Sequence, residues 1–73
     1  MSNINTEKDF MKFFQNKGDY LVELSENHFK NKEYKKTLEL LNQAYSMYVK
    51  CNNTDDAEKT KQRFLEIKSN FLK

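Results

Sequence analysis

Apolar residues recur at spacings of three, four and seven in the first third of the chain, which is the period of one helix face. The residues that share this face are Phe10, Phe13, Phe14, Leu21, Leu24 and His28. The pattern is interrupted at Lys17 and Gly18. It predicts one long helix from about residue 6 to residue 31, because an interior glycine costs a helix only ~1 kcal/mol. The alternative is a short helix that ends near Gly18 and a second one that begins at Asp19.

Two further helices are predicted, near 33–50 and 55–72. The second presents a stripe at helical spacing, with Leu40 and Met47 as a parallel line beside it; the stripe consists of Tyr34, Thr37, Leu38, Leu41, Ala44, Tyr45 and Tyr48. The third turns Ala57, Thr60, Phe64, Ile67 and Phe71 inward, is flanked by Leu65 and Leu72, and exposes Lys59, Lys61, Arg63 and Lys68. Thr54, followed by two acids, is the expected N-cap.

These patterns predict an all-α fold, an antiparallel three-helix bundle. The chain has no proline and one glycine, which argues against tight strand hairpins, and short polar joints between helices imply antiparallel neighbours. We expect residues 1–5 to form a flexible N-terminus and residues 6–73 a single domain. With 73 residues, including six Phe and four Tyr, stability depends on packed aromatic side chains, on a partner, or on both.

Charge and composition disfavour several classes of protein. A net charge of +2 is too small for a typical nucleic-acid binder. No apolar stretch approaches the ~20 residues that a bilayer requires, and residues 1–6 lack the apolar run of a secretory signal. One cysteine suits a reducing compartment. We therefore expect a cytoplasmic location, with any membrane role exerted through a partner.

The residues that could carry chemistry are isolated from one another along the sequence. His28 has no nucleophile or second ligand at a useful spacing, so we interpret it as a packing residue near the first turn. Cys51 is interpreted as a small apolar residue at a helix end. Asp55, Asp56 and Glu58 lack the spacing and the turn glycine of a calcium loop. We therefore predict that the chain is not an enzyme and holds no cofactor and no metal.

The stretch from Leu21 to Tyr48 resembles a tetratricopeptide (TPR) helical hairpin. Its first helix carries Leu24, Ser25 and His28–Phe29, and its second carries the run KNKEYKKTLELLNQAY, in which Leu41 and Ala44 occupy the bulky and small positions of the repeat. The departures are Leu21 in place of Trp, Ser25 and Lys32 in place of Gly, and Val49 in place of Pro.

The length and the three helices are also similar to a microtubule-interacting and trafficking (MIT) domain, although the usual ending of that family is missing. Both resemblances imply a helical module that binds other proteins. Neither allows ligand-contacting residues to be transferred to this chain.

The predicted function is a protein–protein interaction module that binds a partner helix or a short linear peptide in an inter-helical groove. We expect Leu40, Met47, Leu65 and Leu72 as apolar anchors and Lys61 and Lys68 as rim residues that orient acidic segments. A structural alternative is homo-oligomerisation through Phe10, Phe13 and Phe14.

These three phenylalanines are expected to form buried core if the first helix extends beside the third. The other interpretations are an exposed patch for a partner or a second copy, and a membrane-surface helix, which Glu7 and Asp9 disfavour. A further hypothesis is weak binding of nucleic acid or an anionic membrane by the lysines at the first turn, Lys30, Lys32, Lys35 and Lys36. Glu33 and Glu39 dilute their charge, so a solvated turn is favoured.

Overall fold

The computed structural model describes residues 6–72 and contains three α-helices in that range. They are α1 (Thr6–Lys30), α2 (Tyr34–Lys50) and α3 (Thr54–Phe71). The prediction of an all-α three-helix bundle is confirmed, and so is the single long first helix, because α1 continues through Gly18. The predicted flexible N-terminus, residues 1–5, lies outside the described residues, as does Lys73.

The two turns that join the helices have the same backbone geometry. Lys32 and Asn52 adopt positive φ values of 63° and 60°. In each turn the next N–H reaches back five residues, from Glu33 to the His28 carbonyl (3.0 Å) and from Asn53 to the Tyr48 carbonyl (2.9 Å). This pattern is a Schellman motif, in which one left-handed residue ends a helix and turns the chain. Consecutive helices are therefore antiparallel, and α2 packs against both α1 and α3.

The core lies on the two sides of α2 that face its neighbours. Leu21 of α1 and Ala57 of α3 pack with three buried residues of α2, Leu40, Ala44 and Tyr48. Leu41 and Ile67 are also fully buried. Three buried hydroxyls donate to carbonyls three or four residues earlier in the chain: Ser25 to Val22 (2.6 Å), Thr37 to Glu33 (2.8 Å) and Thr60 to Asp56 (2.8 Å). Such internal pairing lets small polar residues lie between closely packed helices without an unsatisfied hydrogen bond.

Gly18 is the point of close approach between α1 and α2. A Cβ atom at Gly18 would lie 2.7 Å from Cε1 of the buried Tyr48 ring. The ring therefore occupies the space that any larger residue would need. This contact explains why a residue with poor helix propensity occupies the middle of a 25-residue helix.

Side chains also link α1 to α3 near the C-terminal end of α1, away from the contact between Gly18 and Tyr48. Arg63 donates to both carboxylate oxygens of Glu26 (3.0 Å each) and to Glu66 (3.0 Å), and its guanidinium carbon lies 4.6 Å from the Phe29 ring centroid. The hydrogen bond to Glu26 is the largest cause of a raised Arg63 pKa. The prediction that Arg63 lies on the exposed side of the third helix is wrong, because this side chain is half-buried between two helices.

Aromatic rings close the same end of the bundle. The Tyr34 and Phe71 rings stack at 4.7 Å between centroids, and Phe29 packs edge-on against Phe71 at 5.3 Å. One residue from each helix takes part. The cluster therefore joins the start of α2 to the ends of α1 and α3.

The contact between Gly18 and Tyr48 predicts that Gly18→Ala destabilises the protein. Overpacking a filled site costs about 1–3 kcal/mol, whereas the gain in helix propensity is only about 1 kcal/mol. Urea unfolding followed by circular dichroism should show a net loss of stability. Asn16→Ala, at an exposed position on the same helix, is the matched control and should be neutral or slightly stabilising. A Gly18→Ala variant more stable than wild type would contradict the packing described here.

Candidate protein-interaction surfaces

A network of polar side chains joins all three helices at the turn between α2 and α3. The Gln15 amide nitrogen donates to Asp19 and to Asp56 (3.2 Å each), and the Gln15 oxygen accepts from Asn53 (2.6 Å). The Tyr48 hydroxyl donates to the same Asp19 oxygen (2.6 Å). Burial, together with this hydrogen bond, raises the pKa of Tyr48 well above its usual value. Tyr48 is therefore held neutral, as a hydrogen-bond donor to Asp19.

The network also caps α3. The Asn53 side-chain oxygen accepts from the Asp56 backbone N–H (3.0 Å), and its amide nitrogen donates to the Asp56 carboxylate (2.8 Å). The predicted N-cap at Thr54 is therefore wrong by one residue, because Thr54 is already the first residue of α3. None of the buried side-chain nitrogen and oxygen atoms of this network lacks a hydrogen-bond partner, so we interpret the network as structural.

Asn53→Ala is therefore expected to destabilise the protein by about 1–2 kcal/mol, the usual cost of removing a side-chain N-cap. Thr54→Ala is the matched control, and as an exposed substitution it should change the free energy of unfolding by less than about 0.5 kcal/mol. Thermal or urea unfolding of both variants measures the difference. The reverse order, with Thr54→Ala more damaging, would show that Thr54 is the cap after all.

The two side chains with catalytic potential lie at opposite ends of α2. His28 Nδ1 is 2.6 Å from Glu33 Oε1 at the first turn. Cys51 is half-buried at the second turn, with its sulfur 3.4 Å from the Tyr48 carbonyl. The 17 residues of α2 separate them, so the fold does not bring them together. Residues 6–72 contain no group of three or more His, Cys, Asp or Glu side chains placed to hold a metal ion.

A mainly apolar groove runs along the outer side of the α2/α3 pair. Its volume is about 240 Å³. The residues that line it are Leu41, Asn42 and Tyr45 of α2 and Thr60, Lys61, Phe64 and Leu65 of α3. Leu65 is 51% exposed, so a large apolar side chain borders the groove without being covered. We call this surface the α2/α3 groove.

The predicted partner-binding residues divide into two groups in the structure. Leu65 and Lys61 line the α2/α3 groove. Lys68, which is exposed, follows Leu65 at a spacing of three and so extends the same side of α3. Leu72 is half-buried and lies just after the helix, as its C-cap residue.

Leu40 and Met47 do not belong to this groove. Leu40 is only 4% exposed, and both residues pack in or against the core cluster. The expectation that Leu40 is an open apolar anchor is wrong, because α2 has a neighbour on two sides and Leu40 is used for internal packing. Met47 is half-buried against the core cluster and lies outside the groove. Tyr45 and Phe64 line the groove instead. The sequence pattern predicts both on the inner side of their helices, and Tyr45 also packs against the core cluster.

The N-terminal phenylalanines are largely exposed. Phe10 and Phe13 are 58% and 57% exposed, which corrects the expectation that they form buried core. Only Phe14 is half-buried, with the Lys50 ammonium 5.4 Å from its ring centroid. The reason is direction: Phe10 and Phe13 share a side of α1 with the exposed Tyr20, away from Gly18 and Leu21, which face α2.

The four lysines around the first turn, Lys30, Lys32, Lys35 and Lys36, are all exposed. Lys36 lies 3.7 Å from Glu39, and Glu33 lies beside His28. Acidic residues thus alternate with the lysines, as the interpretation of a solvated turn expects. None of the three helices combines the length and the apolar character that a membrane-spanning segment needs.

Comparisons with protein-family models, with curated proteins and with solved structures give no match for this chain. The resemblance to TPR hairpins and to MIT domains therefore stays a prediction.

Proposed function

We propose that this chain is a protein-interaction module that binds an acidic amphipathic helix, or a short peptide of that character, in the α2/α3 groove. The observation that supports this most directly is the groove itself, with Tyr45, Phe64 and the half-exposed Leu65 along its sides. A ligand helix lying there would pack beside two antiparallel helices. This is a common way in which helical modules bind amphipathic segments.

The apolar lining accounts for affinity. Leu41 lies at the bottom of the groove and is fully buried, so the base is rigid, whereas Tyr45 and Leu65 remain partly open to a ligand. Covering such side chains removes apolar surface from water. Aromatic residues in a partly enclosed site are frequent centres of binding energy. The expected ligand therefore presents leucine-like side chains along one helix face.

The charges at the edge of the groove favour an acidic ligand. Lys61 and Lys68 are exposed on the groove side of α3, and neither forms an ion pair with another residue in the described range 6–72. A negatively charged segment would meet two unneutralised ammonium groups. Exposed pairs of this kind contribute mainly to orientation and to the rate of association.

The proposed role is binding rather than catalysis. His28 and Cys51, the residues with the most reactive side chains, lie at opposite ends of α2, and each has a nearby structural partner. Membership of the TPR or MIT families would be in keeping with such a role, and we propose it on the residues of the helical hairpin alone.

A panel of fluorescent synthetic peptides tests the proposal. Each peptide carries leucines at helical spacing on one side and glutamates on the other. At least one is expected to bind, and Leu65→Glu should weaken that binding tenfold or more, the order of effect typical of an apolar anchor. The double substitution Lys61→Ala and Lys68→Ala should weaken it a few-fold, with a smaller effect at high salt.

Phe13→Glu is the matched control, since it places the same charge at an equally exposed apolar position on α1. It should leave peptide affinity unchanged. Binding that is insensitive to Leu65→Glu but lost in Phe13→Glu would place the ligand site on α1 and refute the groove proposal. Failure of every acidic peptide to bind would refute the chemistry proposed for the ligand.

A further inference from the structure

A stripe of exposed aromatic residues runs along one side of α1. Phe10, Phe13, Lys17 and Tyr20 follow one another at spacings of three, four and three residues, so they share one side of the helix. Phe10, Phe13 and Tyr20 are 58%, 57% and 55% exposed. We call these four residues the α1 stripe. A small protein rarely leaves several large apolar side chains together in water unless they contact a partner.

Neither α2 nor α3 covers the α1 stripe in the part of the chain that the structure describes. Gly18 and Leu21 face α2, as their burial against Tyr48 and the core shows. Gln15 and Glu26, which reach α3 through hydrogen bonds, point to roughly the opposite side of α1 from the stripe at 3.6 residues per turn. The stripe is therefore a third side of α1 that neither of the other two helices contacts.

The chemistry of the α1 stripe restricts what that partner can be. The partner must offer apolar surface to three rings. It must also interact favourably with the one cation of the stripe, Lys17, whose ammonium lies 5.8 Å from the centroid of the Tyr20 ring. Ammonium groups are accepted well by aromatic faces and by carboxylates. Both are present on this side of α1, in the phenylalanines and in the exposed Asp9.

A second copy of the same stripe meets these requirements when it runs antiparallel. A twofold axis level with the middle of the stripe places Phe10 opposite Tyr20 of the second copy, and Phe13 opposite Lys17 of the second copy. Asp9 then lies about one helical turn from that same lysine. The arrangement is self-complementary, as a twofold interface requires. We propose that the α1 stripe is a twofold, antiparallel interface through which two copies of this chain associate.

The size of the α1 stripe sets the strength of this association. Six rings contribute, each slightly more than half exposed before association. Since a fully covered aromatic side chain buries 150–250 Å², the rings together bury roughly 500–850 Å². Stable complexes bury about 1,200–2,000 Å², so the buried area of the rings falls below that range and the association is weak. It should form reversibly as concentration rises.

Analytical ultracentrifugation of the full chain over a wide concentration range tests this. Wild type is expected to show a reversible equilibrium between monomer and dimer. Phe13→Glu should raise the dissociation constant at least tenfold, because each dimer then contains two carboxylates against aromatic rings. Lys17→Glu, at an exposed position that tolerates any helix-forming residue, should also raise it, because it removes the contact with Phe13 and repels Asp9.

Leu65→Glu is the control, with an apolar residue of similar exposure replaced on α3. It should leave the dimer intact. The same variant should weaken peptide binding tenfold or more, so failure of one proposal is distinguishable from failure of the other. A wild-type chain that stays monomeric up to millimolar concentration would overturn the interface. So would a dimer dissociated by Leu65→Glu and not by Phe13→Glu.

Disulfide trapping tests the antiparallel register. One chain carries Phe13→Cys and the other Lys17→Cys, both with Cys51→Ser. Mixing them under mild oxidation should give mainly the mixed disulfide, because the two positions face each other across the proposed axis. Disulfides formed only between identical variants would overturn the register.

Discussion

The contact of the Tyr48 ring with the backbone of α1 at Gly18 sets the geometry on which the rest of the protein depends. A Cβ atom at Gly18 would lie 2.7 Å from the ring, so the distance between α1 and α2 is fixed by a residue that has no side chain. The same ring carries its hydroxyl to Asp19, 2.6 Å away. Asp19 also accepts from Gln15, which in turn holds Asn53 and Asp56 at the start of α3. One aromatic side chain thus determines helix spacing and the position of the polar network.

The two ends of the bundle are held together by different kinds of interaction. At the α2/α3 turn, the polar network supplies hydrogen bonds whose loss would leave buried groups unsatisfied, and such networks favour one arrangement over its alternatives. At the other end, the rings of Phe29, Tyr34 and Phe71 supply apolar contact, and Arg63 joins α1 to α3 through Glu26. Side chains at the two ends therefore fix α3 relative to α1, although the main packing of both helices is against α2.

Helix positions were predictable from the sequence because their signals are local. The apolar period and the Asn-rich breaks give bounds close to those of α1, α2 and α3. The direction in which each apolar residue faces was not predictable. Because α2 packs against a helix on each of two sides, a residue such as Leu40 could face either neighbour. Likewise, the partner of Arg63 is Glu26, 37 residues away, and no local pattern indicates it. The exposure of Phe10 and Phe13 depends on which sides of α1 the other helices cover, a property of the assembled fold.

The position of α2 between its neighbours also explains why two separate surfaces remain open. An α-helix in the middle of three uses most of its apolar residues against its two neighbours, so open apolar surface is left on a free side of α1 and along the α2/α3 groove. The open surface of α1 is aromatic with a single lysine, which suits the same surface of a second copy of the chain. Beside α3 the open surface is a groove with a basic edge, which suits an acidic helix. The α1 stripe and the α2/α3 groove share no residue, so occupation of one does not obstruct the other. A dimer formed through α1 would therefore present two grooves, and a ligand with two acidic helices would bind it with an effective concentration set by the linker between them.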